Sequence, residues 1–372
     1  MSKLIKTIWL VSLGLMLVAS LGVNAGQAET ADINNLPSPL PEEYSSDGGQ
    51  ITTIYAPEEE AYALMDYWTL ERRRAAKPMP LPTYIANASG GDNEEYLGDP
   101  GSTRGKWPNT NANWVAKFEY PQEWLAARGT LEQNSTAESD FVNYGTGEVF
   151  TSYLTNYYGV MWKYYPNKAI GRLYLNGGYC TASVISPTVI VTAAHCVYDT
   201  DTQSWIGGWT FVPADRNGAA PYGTFSWSSA RILTAWKGTA DTIYDVAVIK
   251  LKPNSAGRDV SYYVGYLGRS WNWGYTQNLF AVGYPGNLNS GRYTYTCAAE
   301  SFRADTDVLG MGCDMTFGSS GGPWMRKYAP NRGGALNLVF SVVHGGDPSV
   351  QTFYGVRFTS NNIVPLCNNF CN

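Results

Sequence analysis

The stretch LYLNGGYCTASVISPTVIVTAAHC, residues 173–196, carries the pattern that decides the fold. Two apolar runs, Leu173–Leu175 and Tyr179–Ile185, flank Asn176-Gly177-Gly178. That turn chemistry predicts a β-hairpin. Ser186-Pro187 then turns the chain into a third run, Thr188–Thr192. The same texture begins near Tyr164 and continues downstream. Tyr244–Leu251, Leu279–Tyr284, Arg292–Cys297, Leu336–Val343 and Thr352–Thr359 read as further short strands between turns. Many short strands with Gly and Pro punctuation predict an all-β barrel or sandwich. The sequence holds no repeat of fixed period and no glycine-rich phosphate or dinucleotide loop.

Residues 29 to about 150 are different, rich in Asn, Glu, Ser, Gly and Pro and poor in strand patterns. One helix is predicted over Glu58–Ala76, with Arg72, Arg73 and Arg74 suiting its negative C-terminal end. Lys77-Pro78-Met79-Pro80-Leu81-Pro82 stops it. The segment reads as a loosely structured pro-region or extension. Ahead of it, Lys3 and Lys6 precede the apolar run Ile8–Val23, and Val23-Asn24-Ala25 offers small residues for cleavage, with Ala28 a second candidate end. That is the form of a secretory signal. The expected organisation is a signal peptide over 1–25, a pro-region over 26–150 and a β-rich domain over 151–372. No other stretch is apolar enough to span a bilayer.

Composition narrows the function. Charged residues are 15% of the chain and net charge is -5, with no basic stripe, so nucleic-acid binding is not expected. The six cysteines fall in local pairs, Cys180 with Cys196, Cys297 with Cys313 and Cys367 with Cys371. An even count in an exported chain predicts disulfides, although sequence alone leaves the connectivity open. With two histidines and no dense acidic loop, neither a zinc cluster nor a calcium site is expected, and no cofactor. Asn87 and Asn134 are glycosylation sequences in the presumed pro-region.

Three elements suit nucleophilic acyl transfer, which needs an activated hydroxyl, an oriented imidazole and fixed donors for an oxyanion. In Thr192-Ala193-Ala194-His195-Cys196, small residues lead a strand into a histidine, and Cys196 could tie that turn back to Cys180. Such a closure is worth roughly 3 kcal/mol in the chain-entropy account. Asp245 heads the apolar run Val246–Leu251, a costly place for a carboxylate unless it is paired. Asp241 is the nearby substitute. In Gly318-Ser319-Ser320-Gly321-Gly322-Pro323, glycines permit a bent turn that presents the Ser320 hydroxyl and aims the N–H groups of Gly318 and Ser320 at one point. Each element alone is unremarkable; their conjunction in one β-rich segment points to a His195, Asp245, Ser320 triad.

These residues resemble the chymotrypsin-like serine peptidases, which also run His, Asp, Ser along the chain. The resemblance covers about residues 165–365. Ala281-Val282-Gly283-Tyr284-Pro285-Gly286 and Pro221-Tyr222-Gly223-Thr224 look like the bacterial glutamyl-endopeptidase branch. The resemblance implies two packed six-stranded antiparallel β-barrels with a site between them, a disulfide Cys180–Cys196, synthesis as a pre-pro-enzyme, and a secreted monomer that acts on protein or peptide substrates. Trypsin-type members carry an Asp just before the serine to receive a new N-terminus; here Ser319 stands there, and no Ile-Val-Gly-Gly start occurs. Processing is expected between Arg128 and Tyr164.

Two residues compete as readers of the substrate side chain. His344, in Val342-Val343-His344-Gly345-Gly346, resembles the histidine with which glutamyl endopeptidases bind a substrate carboxylate, but it lacks the usual residue before the Gly-Gly pair. Asp314, six residues before Ser320, has the spacing of the carboxylate that selects Lys or Arg. Thr316, Val343 and Gly345 complete the expected substrate-binding set. Acidic preference is the favoured expectation. The alternatives are Lys/Arg preference through Asp314, a non-catalytic binding protein of the same fold, and an adhesive protein suggested by 27 Tyr and 13 Trp.

Overall fold

The structure is a computed structural model that describes residues 43–84, 86, 98–108, 150–155 and 161–372. The signal-peptide residues, Asn87, Asn134 and Arg128 lie outside the described residues.

The hairpin expected from Asn176-Gly177 forms between β5 and β6. Strands β1 (Tyr44–Ser46) and β2 (Ile51–Tyr55) lead into helices α1 (Glu58–Tyr67) and α2 (Leu70–Ala75); β3 (Gly101–Thr103) and β4 (Thr151–Leu154) follow. Then come β5 (Ile170–Leu175), β6 (Gly178–Val184) and β7 (Val189–Thr192). A small hairpin of β8 (Tyr198–Asp199) and β9 (Ser204–Trp205) precedes β10 (Thr210–Pro213), β11 (Phe225–Leu233) and β12 (Ala247–Leu251). Strands β11-β10-β5-β6-β7-β12 pair in that order, and β12 pairs back onto β11, which closes a six-stranded barrel. Closure leaves no open edge in this ring. Its interior holds Leu173, Val191, Trp209, Trp227, Ile232 and Ile249, all fully buried. Trp209 and Trp227 meet edge to face, ring centroids 4.7 Å apart.

The second sheet contains β13 (Gly268–Trp271), β14 (Asn278–Gly283), β15 (Tyr295–Glu300), β16 (Phe302–Asp305), β17 (Val308–Gly312), β18 (Pro323–Arg326), β19 (Leu338–Asp347) and β20 (Thr352–Arg357). Its order is β16-β17-β20-β19-β18-β14-β15-β4. The curled run from β17 to β15 is the second six-stranded unit, around Leu279, Ala281, Met311, Trp324, Phe340 and Val343. Cys297 on β15 is joined to Cys313, next after β17, so a disulfide crosses the seam between its two ends. The fold is therefore the expected all-β pair of barrels, the first closed by a hydrogen-bonded ladder and the second stapled covalently.

Within the strand-poor N-terminal segment, the described residues 43–84 form more regular structure than their composition foretold. Strand β2 adds antiparallel to the outside of β11, with Ala230 opposite Ile54 and Leu233 opposite Ile51. Ile51, Ile54 and Leu64 of α1 are fully buried in the first-barrel core, worth roughly 2 kcal/mol apiece in apolar burial. The single predicted helix is two. The chain breaks at Trp68, whose buried indole donates from Nε1 to the Gly208 carbonyl at 3.3 Å. Thr69 then caps α2, its hydroxyl accepting from the Arg72 N–H at 3.3 Å. A local competitor for backbone donors, adjacent to a large anchored side chain, overrides the continuous helical pattern.

Candidate active site

Strand β7 ends at Thr192, and the fully buried Ala193 and Ala194 turn the chain into a short 3-10 segment, Ala194–Cys196, that carries His195. The Cys180–Cys196 disulfide, with a Cα separation of 6.3 Å, pins this turn to β6. Opposite, a second 3-10 turn, Thr242–Tyr244, delivers Asp245 just before β12. Because β7 and β12 pair with Thr192 opposite Ala247, both turns emerge at the same end of the barrel.

Asp245 is fully buried and accepts at three points. Oδ1 takes the backbone N–H of His195 at 2.7 Å. Oδ2 takes the His195 Nδ1–H at 2.7 Å. The same Oδ2 also takes the Nδ1–H of His344 at 2.5 Å. A carboxylate only accepts, so the proton sits on Nδ1 of each ring and the free imidazole of His195 keeps Nε2 as a base. Burial by itself would raise the Asp245 carboxyl; the two imidazoles and their hydrogen bonds outweigh it and hold the group well below the usual carboxylate range. Asp241, the substitute expected from sequence, instead caps the 3-10 turn, accepting from the Ile243 N–H at 3.2 Å.

Ser320 lies in the loop between β17 and β18. Gly318 has φ +84° and Gly321 φ +76°, the left-handed region that favours glycine. A Cβ on Gly321 would lie 2.0 Å from Thr192 Oγ1 and 2.7 Å from the Ala193 nitrogen, so the serine loop is packed directly on the strand end that leads to His195. Thr181 N–H donates to the Ser320 carbonyl at 2.9 Å, and Gly321 N–H to the Val343 carbonyl at 2.8 Å. Ser320 is fully buried. Its Oγ and the His195 Nε2 are both sealed from solvent and neither has a hydrogen-bond partner.

The expected substrate-binding residues separate. His344 commits Nδ1 to Asp245, and its Nε2 lies within hydrogen-bond distance, 3.2 Å, of Thr242 Oγ1. Asp314 is half-buried elsewhere, its Oδ1 3.7 Å from Sγ of Cys297 in the seam disulfide. Val343 points into the second-barrel core, while Thr316 is half-buried with an Oγ1 that has no partner. Gly345 faces the carbonyl of Pro82. The third disulfide, Cys367–Cys371, closes a short C-terminal loop far along the chain. Among the described residues His195, Asp245 and His344 form one of three groups of potential metal donors, and in it both Nδ1 atoms are already committed to the Asp245 carboxylate.

Sequence reasoning missed Tyr179 and Gly346. Their main-chain groups pair with the segment Lys77–Tyr84, of which Lys77–Pro82 was read only as a helix stop.

Several known proteins are similar to this chain. The glutamyl endopeptidase of Bacillus licheniformis is 30% identical over 164 residues, 43% of this chain and 49% of that protein. The extracellular metalloprotease of Bacillus subtilis is 29% identical over 140 residues, 38% of this chain and 35% of that protein. The chain thus spans half or less of the length of these curated relatives. Among solved structures, the protease Anisep from Arthrobacter nicotinovorans is 25% identical, with a TM-score of 0.49 over 55% of this chain and 95% of that one. A Glu endopeptidase in complex with MPD is 22% identical, with a TM-score of 0.49 over 56% and 92%. The family model described as Trypsin matches residues 163–357, more than half of the sequence, and the chain belongs to that family.

Proposed function

We propose that this protein is a secreted serine endopeptidase in which Ser320 attacks the peptide carbonyl, His195 transfers the proton and Asp245 orients and stabilises the imidazole. The observation that carries the reading is the buried Asp245 carboxylate bonded to both the backbone N–H and the Nδ1–H of His195. As Ser320 Oγ attacks, its proton moves to Nε2; the resulting imidazolium is stabilised by a carboxylate already fixed beside Nδ1. The N–H groups of Gly318 and Ser320 would receive the oxyanion, each worth about 3 kcal/mol in the transition state. Nε2–H then protonates the leaving amine, and a water repeats the sequence on the acyl-serine.

The proposed substrate preference is an acidic residue on the acyl side of the cut, supported by likeness to a glutamyl endopeptidase. A cationic preference has one observation in its favour: Asp314 is a partly exposed residue while both His344 nitrogens are engaged. Export through the N-terminal apolar segment and removal of a pro-region belong to the same proposal. Among the described residues, no helix is long and apolar enough to cross a membrane.

Digesting a mixed peptide library with the processed protein, beside a Ser320→Ala chain, tests the reading. Cuts that disappear in the variant support it, and the residue before the cut assigns the preference; equal cutting by both chains would contradict it. His344→Ala separates the two roles considered for that residue. Loss of one hydrogen bond to a buried charge is expected to lower kcat about 10-fold while the ranking of residues before the cut stays the same. Collapse of the ranking with kcat intact would return His344 to substrate reading.

A further inference from the structure

The cleft that would receive a substrate is occupied by the chain itself. The Tyr179 N–H donates to the Lys77 carbonyl at 2.9 Å, and the Met79 N–H to the Tyr179 carbonyl at 2.9 Å. The Gly318 N–H, one of the two oxyanion donors, is given to the Met79 carbonyl at 3.0 Å. Beyond it, the Gly346 N–H donates to the Pro82 carbonyl at 3.0 Å, and the Tyr84 N–H to the Gly346 carbonyl at 3.4 Å. The segment runs parallel to its partners at both ends, Pro78 beside Tyr179 and Thr83 beside Gly346. It therefore crosses from the first barrel to the second, over the serine loop.

The floor beneath it is glycine. A Cβ on Gly178 would lie 2.3 Å from the Lys77 carbonyl oxygen, on Gly286 2.7 Å from Pro78 Cγ, and on Gly318 2.9 Å from Pro78 Cβ. On Gly345 it would lie 2.5 Å from the Pro82 carbonyl oxygen, and on Gly346 2.8 Å from Leu81 Cδ2. At Gly178, Gly286, Gly345 and Gly346 the space a side chain would take is filled first by the segment; at Gly318 the segment shares it with Tyr179 and Tyr284. Leu81 packs on the second-barrel core and Met79 on the first. The Tyr84 ring sits edge-on to His344 at 5.8 Å.

We infer that Lys77–Tyr84 is an inhibitory strap, a proline-rich peptide held in the cleft as a ligand that cannot be turned over. The inference rests on the serine-peptidase reading and names what occupies that site. Pro78, Pro80 and Pro82 fix their own φ and keep the residues before them extended, so little entropy is lost on seating. The carbonyl at the oxyanion donor is that of Met79, and attack there would have to expel the ring nitrogen of Pro80, a tertiary amide with Cδ where a cleavable bond carries hydrogen. The strap is also tethered without covalent help. Strand β2 on β11, with Ile51, Ile54 and Leu64 in the barrel core, anchors it to the first barrel. A cut in the expected processing window would leave the strap docked, and activity would appear only when the N-terminal piece departs.

The test is the rate at which a fluorophosphonate labels Ser320 in the full chain. Two variants release the strap: one with residues 77–84 replaced by an eight-residue Gly/Ser sequence, the other Leu81→Asp. The phosphonyl oxygen needs the donor that Met79 holds, so both variants are expected to label at least ~10-fold faster than the natural chain. The free peptide Lys77–Tyr84, added to the Gly/Ser chain, is expected to slow labelling and to remain intact. Equal labelling of natural and variant chains, or cleavage of the peptide, would overturn the strap while leaving the serine reading in place. No labelling of Ser320 in any of the folded chains would overturn both.

Discussion

Asp245→Asn is expected to lower kcat by about 10⁴-fold with a small change in KM, a magnitude known for the corresponding change in the general Ser-His-Asp mechanism. The amide can donate where the carboxylate only accepts. Facing Nδ1 of His195 with an NH₂ group, it favours the proton on Nε2 and so removes the base that Ser320 needs. The neighbouring His344 sharpens the expectation, because both Nδ1–H groups converge on the one Oδ2. A stability readout accompanies the kinetic one. The folded Asp245 carboxyl is held below its ordinary value. Its contribution to stability is therefore complete above the unfolded value, about 3.9, and is lost as pH falls through the folded one. The Asn chain should lack that component of acid sensitivity. Steady-state kinetics and acid melting curves of the two chains check both statements; an Asn chain within 10-fold of the natural kcat would remove Asp245 from the mechanism.

Gly321→Ala is the second large effect, acting on the scaffold that joins the serine loop to the histidine turn. The residue has φ +76°, and its added Cβ would meet Thr192 Oγ1 at 2.0 Å, the Thr181 carbonyl oxygen at 2.5 Å and the Ala193 nitrogen at 2.7 Å. Two of those three contacts are backbone and cannot rotate away. Left-handed strain and overpacking together are expected to cost about 3–5 kcal/mol, with activity falling further than the folded fraction because His195 follows Ala193 by two residues. Thermal melting beside active-site titration measures this. Unchanged melting with full activity would show that the loop is not packed as described.

The legibility of the chain follows from how local each signal is. The β5–β6 hairpin was readable because Gly177, at φ +93°, sits between runs whose residues are all buried, so turn and pattern agree. The His195, Asp245 and Ser320 elements stand out locally because each has its own neighbours: alanines before the histidine, an apolar strand after the aspartate, glycines around the serine. Tertiary partners were not readable. The carboxylate that bonds His344 lies 99 positions earlier, and no local pattern around the histidine points to it. The prolines of 78–82 announced a helix stop and gave no hint of Tyr179 or Gly346, whose main-chain groups carry no side-chain signature. Composition likewise concealed β2, which gains its order by adding to β11 rather than from its own propensity.

The most direct test of the account is to trap the acyl-enzyme. The Gly/Ser strap variant would be mixed with an activated ester, quenched in acid within the first turnovers and mapped by tandem mass spectrometry. An acyl group is expected on Ser320, absent when Ser320 is replaced by Ala and formed far more slowly with Asp245→Asn. Ester turnover with no adduct on Ser320, or an adduct that persists in the Ser320→Ala chain, would contradict it.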